Sequence, residues 1–498
     1  MTRPPELELT RERAIQGASA LVLAALLAKV ANLVSMLVMA RLLLRPEIGG
    51  FAVALGLVVI LAKFSNFAAR RDILRDPQLA TAKTKAYVLV QGGLSTLIGL
   101  AMIFGADLAV RSSAAWIPGT HQDRHMVSIL LTSLAGLPLL ESITLPAVAW
   151  VESRLRFKLT AIAEVLSLFT QAGVAIISAA QGNGPWALVH GIYAGFTVRL
   201  LIVWSAALGP VWKAPLDRNA LRSVYHFGST MLATMLVSTA ARNLPEVLVG
   251  TGAGLAAAGA FKYAYLLPHA AEQIIEQLGR ANLAVLGHQD RTQRQGRVFG
   301  MTTRFSFLVL MPGIFLGVPH AEFITAAVLG PGWESAAQPL PVLILLVVVR
   351  AGFIHWHDVA TVHGRADLLL KTSIVSLGAL LVFGISLTQS FGALGMAWAA
   401  LIAWCLPLPF VLRWTVRKTD TRITDLVGPA VLAGALALLL GEFAVASLPK
   451  VTVLTRLLVI LGQGLTYSIA ISRLDRELVA LLWGTLRKNK PQVEIGSA

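Results

Sequence analysis

Runs of about twenty mostly apolar residues recur from Ala14 to Ser472 with short polar gaps, and each can cross a hydrocarbon core of roughly 30 Å. About fourteen such runs can be drawn, at 14–43, 49–68, 86–106, 127–151, 159–180, 184–208, 226–249, 254–286, 301–329, 337–356, 367–388, 391–414, 426–447 and 451–472. A composition 56% apolar and 14% charged has no use in a soluble domain of this size. The expected fold class is therefore all-α: a polytopic membrane protein whose longest polar loops, about twenty residues, leave no room for an extramembrane domain.

The net charge of +16 does not point to nucleic acid, because Lys and Arg are scattered between spans and not gathered on one soluble face. With a cytoplasmic N-terminus, the N-terminal segment, the basic loops 70–85, 154–158, 213–222, 291–304 and 413–422, Arg365 and the C-terminal tail fall on one side. About 28 Lys and Arg then lie inside and about 5 outside, the positive-inside pattern. An even number of helices places both termini in the cytoplasm, and the setting is expected to be a bacterial inner membrane. Met1 to Arg13 lacks the apolar segment and small-residue cleavage site of a secretory signal, so the first run is expected to remain a helix.

The single cysteine, Cys405, lies in an apolar run, which leaves no disulfide framework or cysteine metal site. His190, His226, His269 and His355 have no ligand spacing, and the polar loops hold neither a nucleophile with its base nor a phosphate-cradling glycine loop. No cofactor, metal or catalytic residue is expected, and the chain is not expected to be an enzyme.

An internal repeat with an offset of roughly 210 residues relates the first and seventh helices. Gly17-Ala18-Ser19 aligns with Gly228-Ser229-Thr230, each helix is followed by a small-residue helix beginning near Phe51 or Phe261, and Trp116 aligns with Trp333 and Gly184 with Gly392. The resulting organisation is a cytoplasmic segment 1–13, an N-lobe 14–208 of six helices, a cytoplasmic linker 209–225, a C-lobe 226–414 of six helices, two further helices in 415–472 and a cytoplasmic tail 473–498. Repeats of this kind build transporters whose substrate path lies between them.

Several motifs along residues 14–414 resemble one family. Ala40-Arg41-Leu42-Leu43 with Pro46-Glu47-Ile48-Gly49 is similar to its A-R-L-L-x-P-E-x-F-G link, with Ile48 in place of the aromatic residue. Leu155-Arg156-Phe157-Lys158 resembles its basic loop, and Gly182 with Gly184-Pro185-Trp186-Ala187-Leu188-Val189 resembles the start of its sixth helix. Ala241-Arg242-Asn243-Leu244 and Leu248-Val249-Gly250 are similar to its S-R-N-x-D-x-L-L-I-G helix, with Glu246 near the Asp position and Pro245 as a departure. Phe261-Lys262-Tyr263-Ala264-Tyr265 resembles the start of its eighth helix, whereas Asn282-Leu283-Ala284-Val285 replaces a later F-P-A-L. By this resemblance the chain is identified as a member of the Wzx-type polysaccharide flippases of the multidrug, oligosaccharidyl-lipid and polysaccharide exporter superfamily. The resemblance implies an export carrier with two lobes around a cavity that opens alternately to either side.

Such a carrier would move a polyprenyl-pyrophosphate-linked oligosaccharide for exopolysaccharide, capsule or O-antigen synthesis. Its expected partners are that substrate, membrane lipid, and a polysaccharide polymerase and glycosyltransferases, with no nucleic acid and a monomeric chain. Charge within a bilayer must face protein or water, find a partner or snorkel. Lys63, Arg199, Lys371 and Arg456 lie near helix ends and are expected to snorkel, while Arg242, Lys262, Arg280 and Arg350 are candidates to receive an anionic head group in a cavity. Arg242 has a local alternative in Glu246, four residues on, and Glu276 has one in Arg280. Glu246, Glu276 and Glu164 are the candidates for ion coupling or structural pairing. Alternative readings are a peptidoglycan lipid-precursor flippase, a multidrug exporter of the same superfamily and, from another class, a multispan polysaccharide polymerase or ligase.

Overall fold

The computed structural model describes residues 31–478 apart from 67–68, 76, 113–120, 288–292, 364, 420, 448–451 and 477. Among the described residues there is no strand, because a backbone in lipid must satisfy its own hydrogen bonds and a helix does so within one segment. The helices are α1 (Ala31–Leu42), α2 (Arg45–Ala62), α3 (Ala69–Arg75), α4 (Ala80–Ser112), α5 (His121–Ser133), α6 (Leu137–Ser153), α7 (Phe157–Ala180), α8 (Trp186–Lys213) and α9 (Arg218–Ala253). They continue as α10 (Leu255–Ala264), α11 (Leu266–Gly287), α12 (Gln293–Gly317), α13 (Ala321–Leu329), α14 (Leu340–Val362), α15 (Ala366–Cys405), α16 (Leu408–Thr419), α17 (Ile423–Ser447) and α18 (Val453–Leu474).

Among the described residues, ten helical segments are long and apolar enough to cross a membrane. One of them, Asp367–Thr419, runs for 53 residues and holds two expected spans, and it turns at Gly392, whose φ of 59° suits a residue without Cβ. Residues 14–30 and the glycine and serine repeat positions there lie outside the described residues. Three expected spans are broken. The fourth divides between α5 and α6, where Pro138 sits in the first turn of α6; the eighth divides between α10 and α11; the ninth divides at Val318-Pro319-His320, before α13. Proline in a first turn suits a helix start, and the breaks fall near Pro138, Pro268 and Pro319, whereas Pro146, Pro210, Pro245, Pro312 and Pro429 are carried inside continuous helices.

Large apolar side chains stand exposed along the long helices, among them Leu97, Phe104, Ile177, Val382, Leu439, Phe443 and Leu461. A surface of this kind on a soluble protein would aggregate, whereas against lipid tails it costs nothing. The link from α1 to α2 follows from local chemistry. Pro46 enters the first turn, and the Glu47 carboxylate accepts the Leu44 N–H at 2.8 Å.

The chain forms two compact units. The first comprises the described residues up to Leu266 with Ala326–Ala336 and Ser376–Ala399; the second comprises Leu267–Thr325, Ala337–Val375 and the described residues from Ala400 onward. In the first unit, α3, α4, α6 and α8 share a core of Ile73, Tyr87, Trp150, Val203 and Trp204. There too α2 lies directly on α10: a Cβ on Gly49 would run into the Leu255 carbonyl, and one on Gly259 into the Arg45 carbonyl. Two backbones can approach this closely only where side chains are absent. In the second unit, Phe353 and Trp356 of α14 pack with Leu368 and Val411, and Tyr467 of α18 donates to the Leu308 carbonyl of α12 at 2.9 Å.

Candidate functional site

In the first unit, α9 and α10 bring together three of the sequence candidates. Lys262, in the last turn of α10, donates to both carboxylate oxygens of Glu246 at 2.9 and 3.0 Å. Arg242 lies on the same face of α9 as Glu246, four residues earlier, and its side chain is exposed. At 1.5 Å per residue it stands about 16 Å along the helix from the end at Ala253. Two cations and one carboxylate thus stand on the neighbouring helices α9 and α10. Arg is the member with a planar fork that matches phosphate or carboxylate.

Around this pair the unit is tied by contacts that spacing does not suggest. Trp333 donates its indole N–H to the Ala40 carbonyl at 2.8 Å and packs on Tyr263, whose hydroxyl donates to the Met36 carbonyl at 3.0 Å. Arg45 donates to the Ser335 hydroxyl at 2.7 Å.

Three of the cations expected near helix ends have neighbours in the structure. Lys63 pairs with Glu141 at 3.0 Å, and Glu141 is also in reach of Asn66, so Lys63 is held by an ion pair within the first unit. Lys371 is exposed and pairs with Asp367 one turn away at 3.6 Å, and Arg456 lies over the Phe323 ring at 5.8 Å. Glu164 is half-buried on α7, where its backbone carbonyl accepts the Ser167 hydroxyl at 2.9 Å.

Arg280 and Arg350 belong to the second unit. The side chain of Arg280 lies outside the described residues, and Glu276, its expected partner, is half-buried on α11. Arg350 is buried on α14, with its guanidinium 2.8 Å from Glu272 of α11 and over the Trp404 ring at 5.0 Å. Its counter-ion is therefore Glu272, on another helix and outside the candidates read from spacing.

One network was not foreseen at all. Asp72 of α3 accepts from Lys83 Nζ at 2.7 Å and from the Tyr87 hydroxyl at 2.9 Å, with the three side chains buried. Arg70, two residues before Asp72, donates a bidentate pair to Glu152 at 2.8 and 2.9 Å. The only signal was Asp72 and Lys83 flanking a loop that the charge pattern assigned to solvent. Among the described residues no three His, Cys, Asp or Glu side chains gather to hold a metal.

The fold and its charged interior define a class before they define a member. The chain is similar in fold to a structure titled lipid II flippase MurJ, inward closed conformation, with a TM-score of 0.71 and 12% identity, covering 92% of this chain and 99% of that one. It is also similar to an inward-facing multidrug resistance MATE family transporter of the MOP superfamily, with a TM-score of 0.56, 14% identity and coverage of 78% and 96%, and to the eukaryotic MATE transporter AtDTX14, with 0.53, 14%, 85% and 100%. No curated protein matches the chain. Residues 38–338 match the family model described as polysaccharide biosynthesis protein, and the chain belongs to that family.

Proposed function

We propose that the chain is a flippase that carries a polyprenyl-pyrophosphate-linked oligosaccharide repeat unit from the cytoplasmic to the periplasmic leaflet by alternating access. The cationic set on α9 and α10, exposed Arg242 beside the Lys262–Glu246 pair, is the observation that carries this reading. A pyrophosphate-linked substrate is anionic, and a drug exporter for small cations would instead need an excess of carboxylates. Membership of a polysaccharide biosynthesis family supports an exopolysaccharide, capsule or O-antigen substrate, in the manner of the Wzx-type flippases.

Deleting the gene tests it: lipid-linked repeat units are expected to accumulate on the cytoplasmic face, with loss of surface polysaccharide. Units left unpolymerised in the periplasm would transfer the role to a polymerase. A second reading, a peptidoglycan-precursor flippase, draws on the likeness in fold to the lipid II flippase. It predicts arrest of cell-wall synthesis and lysis on depletion, where the first predicts growth without surface polysaccharide.

The proposed orientation has its own check. With both termini in the cytoplasm, cysteines placed at Gly184 and Ser390 should label from the periplasm, and those at Arg156 and Arg294 only after the membrane is opened. Cytoplasmic labelling at Gly184 would reverse the assignment.

A further inference from the structure

In the second unit, α16 is a short amphipathic helix with one face fixed in the protein. Val411, Thr415 and Thr419, each four residues apart, are its buried face, and Val411 packs with Phe353 and Trp356 of α14. Trp414 stands edge-on to the rings of Trp356 and His363, with centroids 6.2 and 5.9 Å away. These contacts set the rotation of the helix about its axis, and so decide which side chains it turns outward.

The outward side carries Phe410, Arg413 and Arg417, at the i, i+3, i+7 spacing of one stripe, and all three are exposed. Leu406, four residues before Phe410 and itself helical in φ and ψ, extends the stripe; it is 57% exposed and Phe410 50%. The stripe thus changes from apolar to cationic over about 16 Å. No carboxylate lies within Leu408–Thr419, and Asp420, which follows, is outside the described residues. Arg413 and Arg417 stand one turn apart, where like charges repel, and neither has a hydrogen bond or ion pair with a described residue. Two other arginines of comparable exposure are each held by a carboxylate through two hydrogen bonds: Arg70 by Glu152 and Arg365 by Asp367. Orientation in a membrane asks for positive charge at a helix end, but not for two guanidinium forks one turn apart at the foot of an exposed apolar stripe.

We propose that α16 binds an anionic phospholipid of the bilayer, with its phosphate between Arg413 and Arg417 and an acyl chain along Phe410 and Leu406. The forks match phosphate oxygens, and one anion shared between them removes their repulsion. Lys418 and Arg422, exposed and next along the chain, add to the positive potential that draws such a headgroup. A zwitterionic lipid brings its own cation to the same two guanidinium groups, so a net anionic headgroup is preferred. A soluble acidic partner would satisfy the arginines and leave the apolar half of the stripe uncovered. The site serves a resident lipid and is independent of the substrate that the chain carries.

Native mass spectrometry of the purified full chain, titrated with phosphatidylglycerol, phosphatidylcholine and glycerol 3-phosphate, tests the site. Phosphatidylglycerol is expected to bind about tenfold more tightly than phosphatidylcholine, and glycerol 3-phosphate, which has no acyl chain, more weakly than either. Arg413→Gln with Arg417→Gln should weaken phosphatidylglycerol binding about thirtyfold, the loss of two cations beside an anionic headgroup, and leave phosphatidylcholine binding unchanged. Both side chains are exposed, so this variant should keep the wild-type thermal transition. Arg156→Gln with Lys158→Gln removes two exposed cations from another basic loop and should leave phosphatidylglycerol binding unchanged. Phe410→Ser should weaken it without affecting glycerol 3-phosphate. Equal binding of the two phospholipids, glycerol 3-phosphate binding as tight as that of phosphatidylglycerol, or an equal loss in the Arg156 and Lys158 variant each overturns the site. Phosphatidylglycerol binding retained in the Arg413 and Arg417 variant does so too, and would leave the stripe to a soluble acidic partner.

Discussion

Asp72→Ala is expected to destabilise the protein by about 3–5 kcal/mol, the range for removing one partner of a buried ion pair. Asp72 and Lys83 have side chains only 3% and 2% exposed, with Nζ 2.7 Å from the carboxylate, and the Tyr87 hydroxyl takes the other oxygen. The substitution takes the carboxylate from an ammonium and a phenol at once. Lys83 can also reach the Asp72 backbone carbonyl at 3.3 Å, but a neutral oxygen cannot replace the carboxylate. Asp72→Asn with Lys83→Met removes both charges and keeps most of the volume, so it should recover the greater part of the loss. Thermal unfolding in detergent, followed by fluorescence, provides the measurement. A shift of less than a degree or two in Asp72→Ala would mean that water reaches Lys83 and that the network is not sealed.

Arg242→Ala is expected to abolish complementation of the deletion strain, and Arg242→Lys to restore it in part. Both variants keep the helix, since Ala and Lys are good helix formers and the site is exposed on α9. They differ in what they remove: Ala takes away charge and fork, Lys only the fork. An intermediate result for Lys therefore separates attraction to an anion from bidentate recognition of it. Lys262 remains on Glu246 in both, so a general collapse of the local charge balance is not the expected cause. Membrane abundance must be matched between strains. Full export by a stably inserted Arg242→Ala protein would remove this residue from the substrate path and leave it a structural one.

Some of the site was legible before any coordinates. Arg242, Lys262 and Glu246 are marked by being charged within expected spans, Arg242 and Glu246 in one that also carries Ser, Thr and Asn, a local property of the chain. Their pairing was not legible, because the i, i+4 rule proposes partners within one helix and Glu246 takes its lysine from another, 16 residues away. The same limit hid the Lys63–Glu141 pair, 78 residues apart, and the tie of Arg350 to Glu272. A head-group site reasoned from charge alone would treat Arg350 as open to solvent. Its burial, with Glu272 at 2.8 Å and the Trp404 ring beneath it, makes it a cation whose anion is already in place.

The sequence by itself determined that the chain lives in lipid as helices, where most of those helices run, and where several end. These outcomes follow from apolar length, proline, glycine and capping chemistry, each acting over a few residues, as in the Leu44–Glu47 cap and the turn at Gly392. Only the tertiary structure decided which helices touch and which charges meet. The approach of α2 to α10 at Gly49 and Gly259, the seal around Asp72 and Lys83, and the pairing of Arg350 depend on packing between segments far apart in the chain. In a bilayer every helix presents nearly the same apolar surface, so periodicity cannot select a neighbour. Close steric fit and the cost of leaving a buried charge unpaired select it instead.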